Sequence, residues 1–204
     1  MKYEWKKQEK DLYGVKRTPI LSEIQKQTYI MIEGKGNPND MDFQQKVSAL
    51  YAVAYAVKRE FKSTMQGIHD ELATDYVVYP LEGIWNLPAG SHFVKDELAY
   101  TIMIRQPDFV NETIMEAAMQ NVKKKKPNPL YERMFLDTMK DGLCVQMLHL
   151  GSYDDEPESF AAMLSMMKQN NLARKHLWHR EIYLSNPSQC EKAKLKTILR
   201  YTVE

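Results

Sequence analysis

An internal repeat constrains the fold of this chain more than any other feature of its sequence. Two stretches, about residues 25–110 and 142–204, each predict a strand, a helix and two further strands. In both, a glycine ends the first strand (Gly34, Gly151) and an acidic loop precedes the helix. A duplicated β-α-β-β unit buries one sheet face under its own helix. The repeat therefore predicts an α+β fold in which one antiparallel sheet is shared by two halves, with a central ligand cleft between them.

The elements of the repeat follow from hydrophobic spacing. Alternation predicts strands, whereas apolar residues three and four apart predict helices. We predict strands at 29–33, 76–81, 98–105, 143–150, 179–184 and 196–203, and helices at 43–61, after a cap at Asp108 or Asn111, at 131–141 and at 158–170. Residues 1–24 are basic and turn-rich and are expected to form an N-terminal arm ahead of a domain at 25–204.

Composition favours binding over metal or thiol chemistry. The 204 residues include 12 Tyr and 13 Met but only 5 His and 2 Cys, and we predict no metal and no cofactor. Lys+Arg is 28 against 27 Asp+Glu, which argues against direct nucleic-acid binding. Lys123–Lys126 either complements a helix C-terminus or forms an anion or nucleic-acid patch. The longest apolar run, 49–57, is too short to span a membrane, so we expect a cytoplasmic protein whose oligomeric state stays open.

Glu181 is the most informative single residue. Strand alternation places Glu181 and Tyr183 on one face and Ile182 on the other. Glu181 and Tyr183 then face either water or a cleft. The repeat favours a cleft, which we expect on the sheet face opposite the helices, where the two halves would meet.

Glu82 is the second candidate carboxylate. It lies close in sequence to Tyr79 and Trp85, and Tyr79 is expected to correspond to Tyr183 in the other half. A carboxylate among such rings is poorly solvated, so its pKa rises unless a cation offsets the burial. Such a group suits either a flat cationic ligand or general acid–base work.

Three further tyrosines are candidates for the same cleft. Tyr51 and Tyr55 lie four residues apart on the flank of the first predicted helix, and Tyr153 follows Gly151. Each either packs against the core or lines the ligand site.

Four motifs together resemble the GyrI-like small-molecule-binding family, in its stand-alone bacterial branch. They stand at 75–85 (DYVVYPLEGIW), 100–110 (YTIMIRQPDFV), 149–157 (HLGSYDDEP) and 179–185 (HREIYLS). The resemblance extends from about residue 20 to the C-terminus. It implies a tandem SHS2-type fold whose central cleft binds bulky, often aromatic and cationic compounds, with Glu181 as the buried acidic contact.

The resemblance leaves three functions open. The first is multidrug-type binding of hydrophobic cations, for sequestration, sensing or drug resistance. The second is a hydrolase that opens the cyclopropane ring of DNA-alkylating natural products, with Glu82 and Glu181 as catalytic residues beside Trp85 and tyrosines such as Tyr55. The third is an inhibitor of a protein partner such as DNA gyrase. No helix-turn-helix segment flanks the domain in this sequence, which makes promoter binding unexpected.

Overall fold

The computed structural model describes residues 1–67, 73–86 and 95–204. Its helices are α1 (Trp5–Gln8), α2 (Lys10–Tyr13), α3 (Met41–Thr64), α4 (Glu112–Lys125) and α5 (Glu156–Gln169). Its strands are β1 (Lys2–Tyr3), β2 (Ile20–Ile24), β3 (Gln27–Lys35), β4 (Asp75–Tyr76), β5 (Leu81–Asn86), β6 (Ala99–Gln106), β7 (Phe135–Met139), β8 (Gly142–Leu150), β9 (His179–Tyr183) and β10 (Lys196–Thr202). Among these described parts, no helix is long and apolar enough to cross a membrane.

Eight of the strands form one antiparallel sheet in the order β2-β8-β10-β9-β5-β6-β3-β7. The order is symmetric, because β8-β10-β9 of the second half mirrors β3-β6-β5 of the first. The two halves join where β5 pairs with β9. The α+β fold with a duplicated β-α-β-β unit and one antiparallel sheet is thereby confirmed.

Both repeat helices cover the same face of this sheet, called here the helix face. α3 packs its apolar stripe on β3 and β6, whereas α5 packs on β8 and β10. Ile102 under α3 pairs with Gly83, Gly83 pairs with Glu181, and Glu181 pairs with Leu199 under α5. Directly paired residues point to the same side of a sheet, so Glu181 lies on the helix face.

This placement corrects the expectation that the cleft lies on the face opposite the helices. The two halves form one continuous sheet side by side, so their helices end up on the same side with the β5–β9 seam between them. The opposite face, called here the arm face, is covered by the N-terminal residues. Tyr13 is buried there, where its hydroxyl accepts from Arg105, a residue that alternates with Ile104 of the helix face, and Trp5 packs on the Tyr13 ring at 4.7 Å.

Three local predictions differ from the structure. The strand predicted at 76–81 is split, since β4 ends at Tyr76 and β5 begins only after Pro80, which lacks a backbone N–H for pairing. The helix predicted at 131–141 is a short 3-10 turn followed by the edge strand β7. Residues 20–24, predicted as part of the arm, form the opposite edge strand β2, paired with β8.

Candidate functional site

Hydrogen bonds converge on Glu181 at the middle of the helix face. Nε2 of His179 lies 2.9 Å from Oε1 of Glu181 and donates to it. The indole N–H of Trp85 donates to the Tyr183 hydroxyl at 2.8 Å, and Tyr183 in turn hydrogen-bonds Glu181. Trp85 comes from the first half of the chain and the other three from the second. The site is therefore assembled across the β5–β9 seam.

Gly83 is the residue that lets the Trp85 indole approach this carboxylate. It pairs directly with Glu181 across the seam. A Cβ at position 83 would lie 2.7 Å from Nε1 of Trp85 and 3.3 Å from the Tyr183 hydroxyl oxygen. Any larger residue would push the indole away and break its hydrogen bond.

Glu156, which is not among the residues predicted for the site, supplies a second carboxyl on the helix face. It opens α5 and is only 7% exposed, although its neighbours Asp155 and Glu158 are exposed. Burial, followed by repulsion from Glu181 and Asp154, raises the pKa of Glu156 to about 9. A helix N-terminus favours a carboxylate by only about 0.3–1 kcal/mol, so burial prevails. Glu156 is thus protonated at neutral pH.

The two buried carboxyls interact electrostatically, and neither has a guanidinium or ammonium partner in the described part of the chain. Glu181 is 8% exposed and carries the negative charge that acts on Glu156. Oε1 of Glu156 is buried and makes no hydrogen bond to the described residues. Repulsion between neighbouring carboxyls keeps one proton on such a pair, which gives one donor and one acceptor.

Aromatic rings from both repeat helices pack on the residues that neighbour Glu181. From α3, Phe43 packs on Trp85 and Tyr100, at centroid distances of 5.8 and 5.2 Å. From α5, Phe160 packs on His179 at 4.9 Å. The site is therefore apolar around its polar centre, as small-molecule sites commonly are.

Tyr153 contributes to the rim of the same site. Its ring meets the Tyr183 ring edge-on at 6.0 Å. Burial, together with the negative charges of Glu181 and Glu156, raises the pKa of Tyr153 to about 12 and that of Tyr183 well above its ordinary value. Both hydroxyls therefore stay protonated and can donate.

Glu82 lies on the arm face, away from Glu181. It pairs with Ile182, whose side chain points opposite to Glu181, and it is 1% exposed. Oε2 of Glu82 accepts from Nη1 of Arg180 at 3.0 Å, while Nη2 of Arg180 bonds Asp141 at 2.9 Å. Burial raises the pKa of Glu82, and the arginines oppose that shift. The structure does not bring the two predicted catalytic glutamates together.

The remaining predicted tyrosines are divided among three places. Tyr79 lies under the arm, where its hydroxyl donates to Glu9 and its ring stacks on Trp5 at 6.0 Å, so it does not correspond to Tyr183. Tyr51 hydrogen-bonds the backbone of Leu81 at the start of β5. Tyr55 is 50% exposed and lines a groove between α3 and α4.

The sequence contains a signal for the missed carboxyl. Glu156 precedes Phe160 by four residues and Met163 by seven, so the buried stripe of α5 extends back to it. Glu156 is instead counted as part of the acidic loop predicted to precede this helix. Among the described residues, no group of three or more His, Cys, Asp or Glu side chains could hold a metal ion.

A family model for the GyrI-like small molecule binding domain matches residues 17–202. The chain belongs to the GyrI-like family. Domains of this family bind small molecules, which agrees with an apolar site built around a polar centre.

Solved structures from Listeria innocua resemble the whole chain. An uncharacterized conserved protein is 36% identical, with a TM-score of 0.88, over 99% of this chain and 100% of its own. A hydrolase is also 36% identical, with a TM-score of 0.87, over 100% of both chains. The C-terminal domain of EcmrR shares the fold at 12% identity, with a TM-score of 0.54, over 92% of this chain and 97% of its own. A search of curated proteins gave no match.

Proposed function

We propose that this protein is a hydrolase that opens a strained ring in a hydrophobic small molecule bound on the helix face. The observation that carries the proposal is the buried Glu156–Glu181 pair, in which Glu181 helps to raise the pKa of Glu156, beside residues on which aromatic rings pack. Support comes from the Listeria innocua hydrolase, whose full length aligns with this chain. The GyrI-like resemblance directs the choice of substrate towards cyclopropane-bearing alkylators.

The pair supplies both proton transfers that ring opening by water needs. Glu181 accepts a proton from water as the water oxygen bonds to a cyclopropane carbon. The ring C–C bond breaks, and its electron pair moves through the conjugated system to the carbonyl oxygen, which takes the proton of Glu156. Proton return from Glu181 to Glu156 restores the pair. General acid and general base each contribute about 10²–10⁴-fold to such a rate.

The neighbours of Glu181 have positioning roles in this scheme. His179 and Tyr183 both hydrogen-bond its carboxylate, which fixes the oxygen that faces the water. Trp85 and Phe43, whose rings are tilted by 31° to each other, provide apolar faces for the aromatic part of the substrate. The proposal thus keeps Glu181, Tyr183, Trp85 and Tyr153 from the sequence analysis and assigns to Glu156 the role predicted for Glu82.

Mass spectrometry tests the reaction directly. The protein is incubated with a cyclopropane-bearing alkylator, and the product is expected to gain the mass of one water. Glu181→Gln and Glu156→Gln should each lower the rate by about 10²–10⁴-fold. Glu158→Gln, an exposed substitution in the same helix turn as Glu156, is the matched control and should keep full rate. Equal rates in all four proteins would contradict the mechanism.

A second candidate function is binding of a hydrophobic cation without turnover. The negative charge of Glu181 among aromatic faces favours it, since each cation–π contact adds about 0.5–2 kcal/mol. A rhodamine dye is the probe, and titration should show its affinity weakened by Glu181→Gln. Dye binding together with no water adduct in the wild type would select this function over hydrolysis.

A further inference from the structure

A groove between α3 and α4 differs in chemistry from the central site. Its volume is about 530 Å³, within the usual range for a small-molecule site. The floor is made of small apolar side chains from both helices: Ala52, Ala56, Ala118 and Val122. Tyr55 and Tyr131 stand at its sides. The small side chains of the floor are what leave this space open between two packed helices.

The rim of the groove is positively charged. Arg59 of α3 and Lys125 and Lys126 at the end of α4 line it, against a single carboxylate, Glu60. Asn121 donates to Glu60 at 3.2 Å, which links the two helices. In the described parts of the chain, none of these three cations has a carboxylate within ion-pair distance.

The basic run at the end of α4 is therefore divided between two roles. Lys123 pairs with Glu132 at 2.8 Å and does not line the groove. Lys125 and Lys126 complement the helix C-terminus, but that role does not account for Arg59, which comes from the other helix. Cations from two elements converge on one apolar space beside an exposed tyrosine ring.

We propose that this groove is a second ligand site, which takes a small organic anion with an aromatic ring. The ring lies on the alanine floor beside Tyr55, and the anionic group meets Arg59 and Lys125. The central site, with its carboxyl pair, excludes such a ligand by charge. The two sites thus have opposite charge preferences.

Anilinonaphthalene sulfonate, an aromatic anion whose fluorescence rises on burial, is the probe. Titration of the wild type should show a site whose affinity falls as salt rises from low to high concentration. The double variant Arg59→Gln/Lys125→Gln should raise the dissociation constant about 10-fold, which corresponds to a loss of about 1.4 kcal/mol of binding free energy. Ala52→Leu, at a half-buried position in the floor, should raise the dissociation constant to a similar extent, because the larger side chain fills the groove.

Matched controls decide the outcome. Lys123→Gln removes a charge from the same helix turn but outside the groove, and Glu181→Gln alters only the central site; neither should reduce binding. N-phenylnaphthylamine, the same rings without sulfonate, should be insensitive to the Arg59→Gln/Lys125→Gln double variant. If Lys123→Gln weakens binding of the sulfonate as much as the double variant does, the ligand is attracted by the general surface charge, and the proposal fails. It fails equally if Ala52→Leu leaves the affinity unchanged. None of these results depends on whether the central site is catalytic.

Discussion

The two faces of the sheet at the β5–β9 seam differ in whether their buried carboxyls are paired with arginines. On the arm face, Glu82 and Asp141 are neutralised by Arg180 and Arg200, in bonds of 2.9–3.2 Å. On the helix face, Glu181 accepts from His179 and has no guanidinium or ammonium partner among the described residues, and the same holds for Glu156. Both pairs are buried to nearly the same degree.

The comparison separates a group that holds the fold from one that is free to react. Breaking a buried ion pair leaves an uncompensated charge, so the arm-face cluster is expected to stabilise the native state against partial disruption. The helix-face pair has the opposite effect on stability, since burying one carboxyl beside another destabilises the native state. A destabilising cluster at the centre of an aromatic site is typical of function.

The largest expected effect is on the arm face. Arg180→Met leaves Glu82 buried without its ion-pair partner and Asp141 with Arg200 alone, so the free energy of unfolding should fall by about 3–5 kcal/mol. Urea denaturation at neutral pH measures it. A loss below about 1 kcal/mol would show that the ion pairs on this face are not structural, and the contrast between the faces would be lost.

Glu156→Gln should instead raise the free energy of unfolding at neutral and alkaline pH. In the unfolded chain a glutamate ionises near its ordinary pKa of 4.5, whereas folded Glu156 keeps its proton to about pH 9. The wild type therefore loses stability as pH rises from about 4.5 to 9, and the variant does not. At pH 8 the variant should be more stable by about 1–4 kcal/mol, and at pH 4 the two should be equal. Thermal unfolding at both pH values checks this, with Glu158→Gln as the unchanged control.

The pH profile of turnover tests whether Glu156 on the helix face acts as the general acid. If protonated Glu156 is the general acid, the rate should fall about tenfold per pH unit above pH 9, where its proton is lost. A rate that stays level to pH 10.5 would remove Glu156 from the acid role while leaving Glu181 untouched.

The smallest expected effects come from two single hydrogen bonds, one on each face. Trp85→Phe removes the donor to Tyr183, and Tyr79→Phe removes one of the donors to Glu9. Tyr79→Phe should lower the free energy of unfolding by about 1 kcal/mol, and Trp85→Phe by about 1–2 kcal/mol, because it also removes buried ring atoms. Only Trp85→Phe should slow turnover, because only Trp85 lies on the helix face. Equal turnover losses would place Tyr79 in the site after all.

Strand alternation and the repeat were sufficient to predict the fold class and the shared orientation of Glu181 and Tyr183. They could not predict which face the helices cover, because alternation separates two faces without saying what packs on each. Glu82 looked like a partner for Glu181 because both lie near tyrosines, yet the one-residue offset across the seam places them on opposite sides. Arg180, the cation that neutralises Glu82, stands beside Glu181 in sequence, and only the register reveals which carboxylate it serves.

The position of the site on the seam links ligand binding to the union of the two halves. Trp85 belongs to one half and Glu181 to the other, so a ligand that contacts both binds only when β5 and β9 are paired. Occupancy then adds to the free energy that holds the halves together, by an amount set by ligand concentration relative to its dissociation constant. The backbone amides of these two strands should accordingly exchange with solvent more slowly when ligand is present.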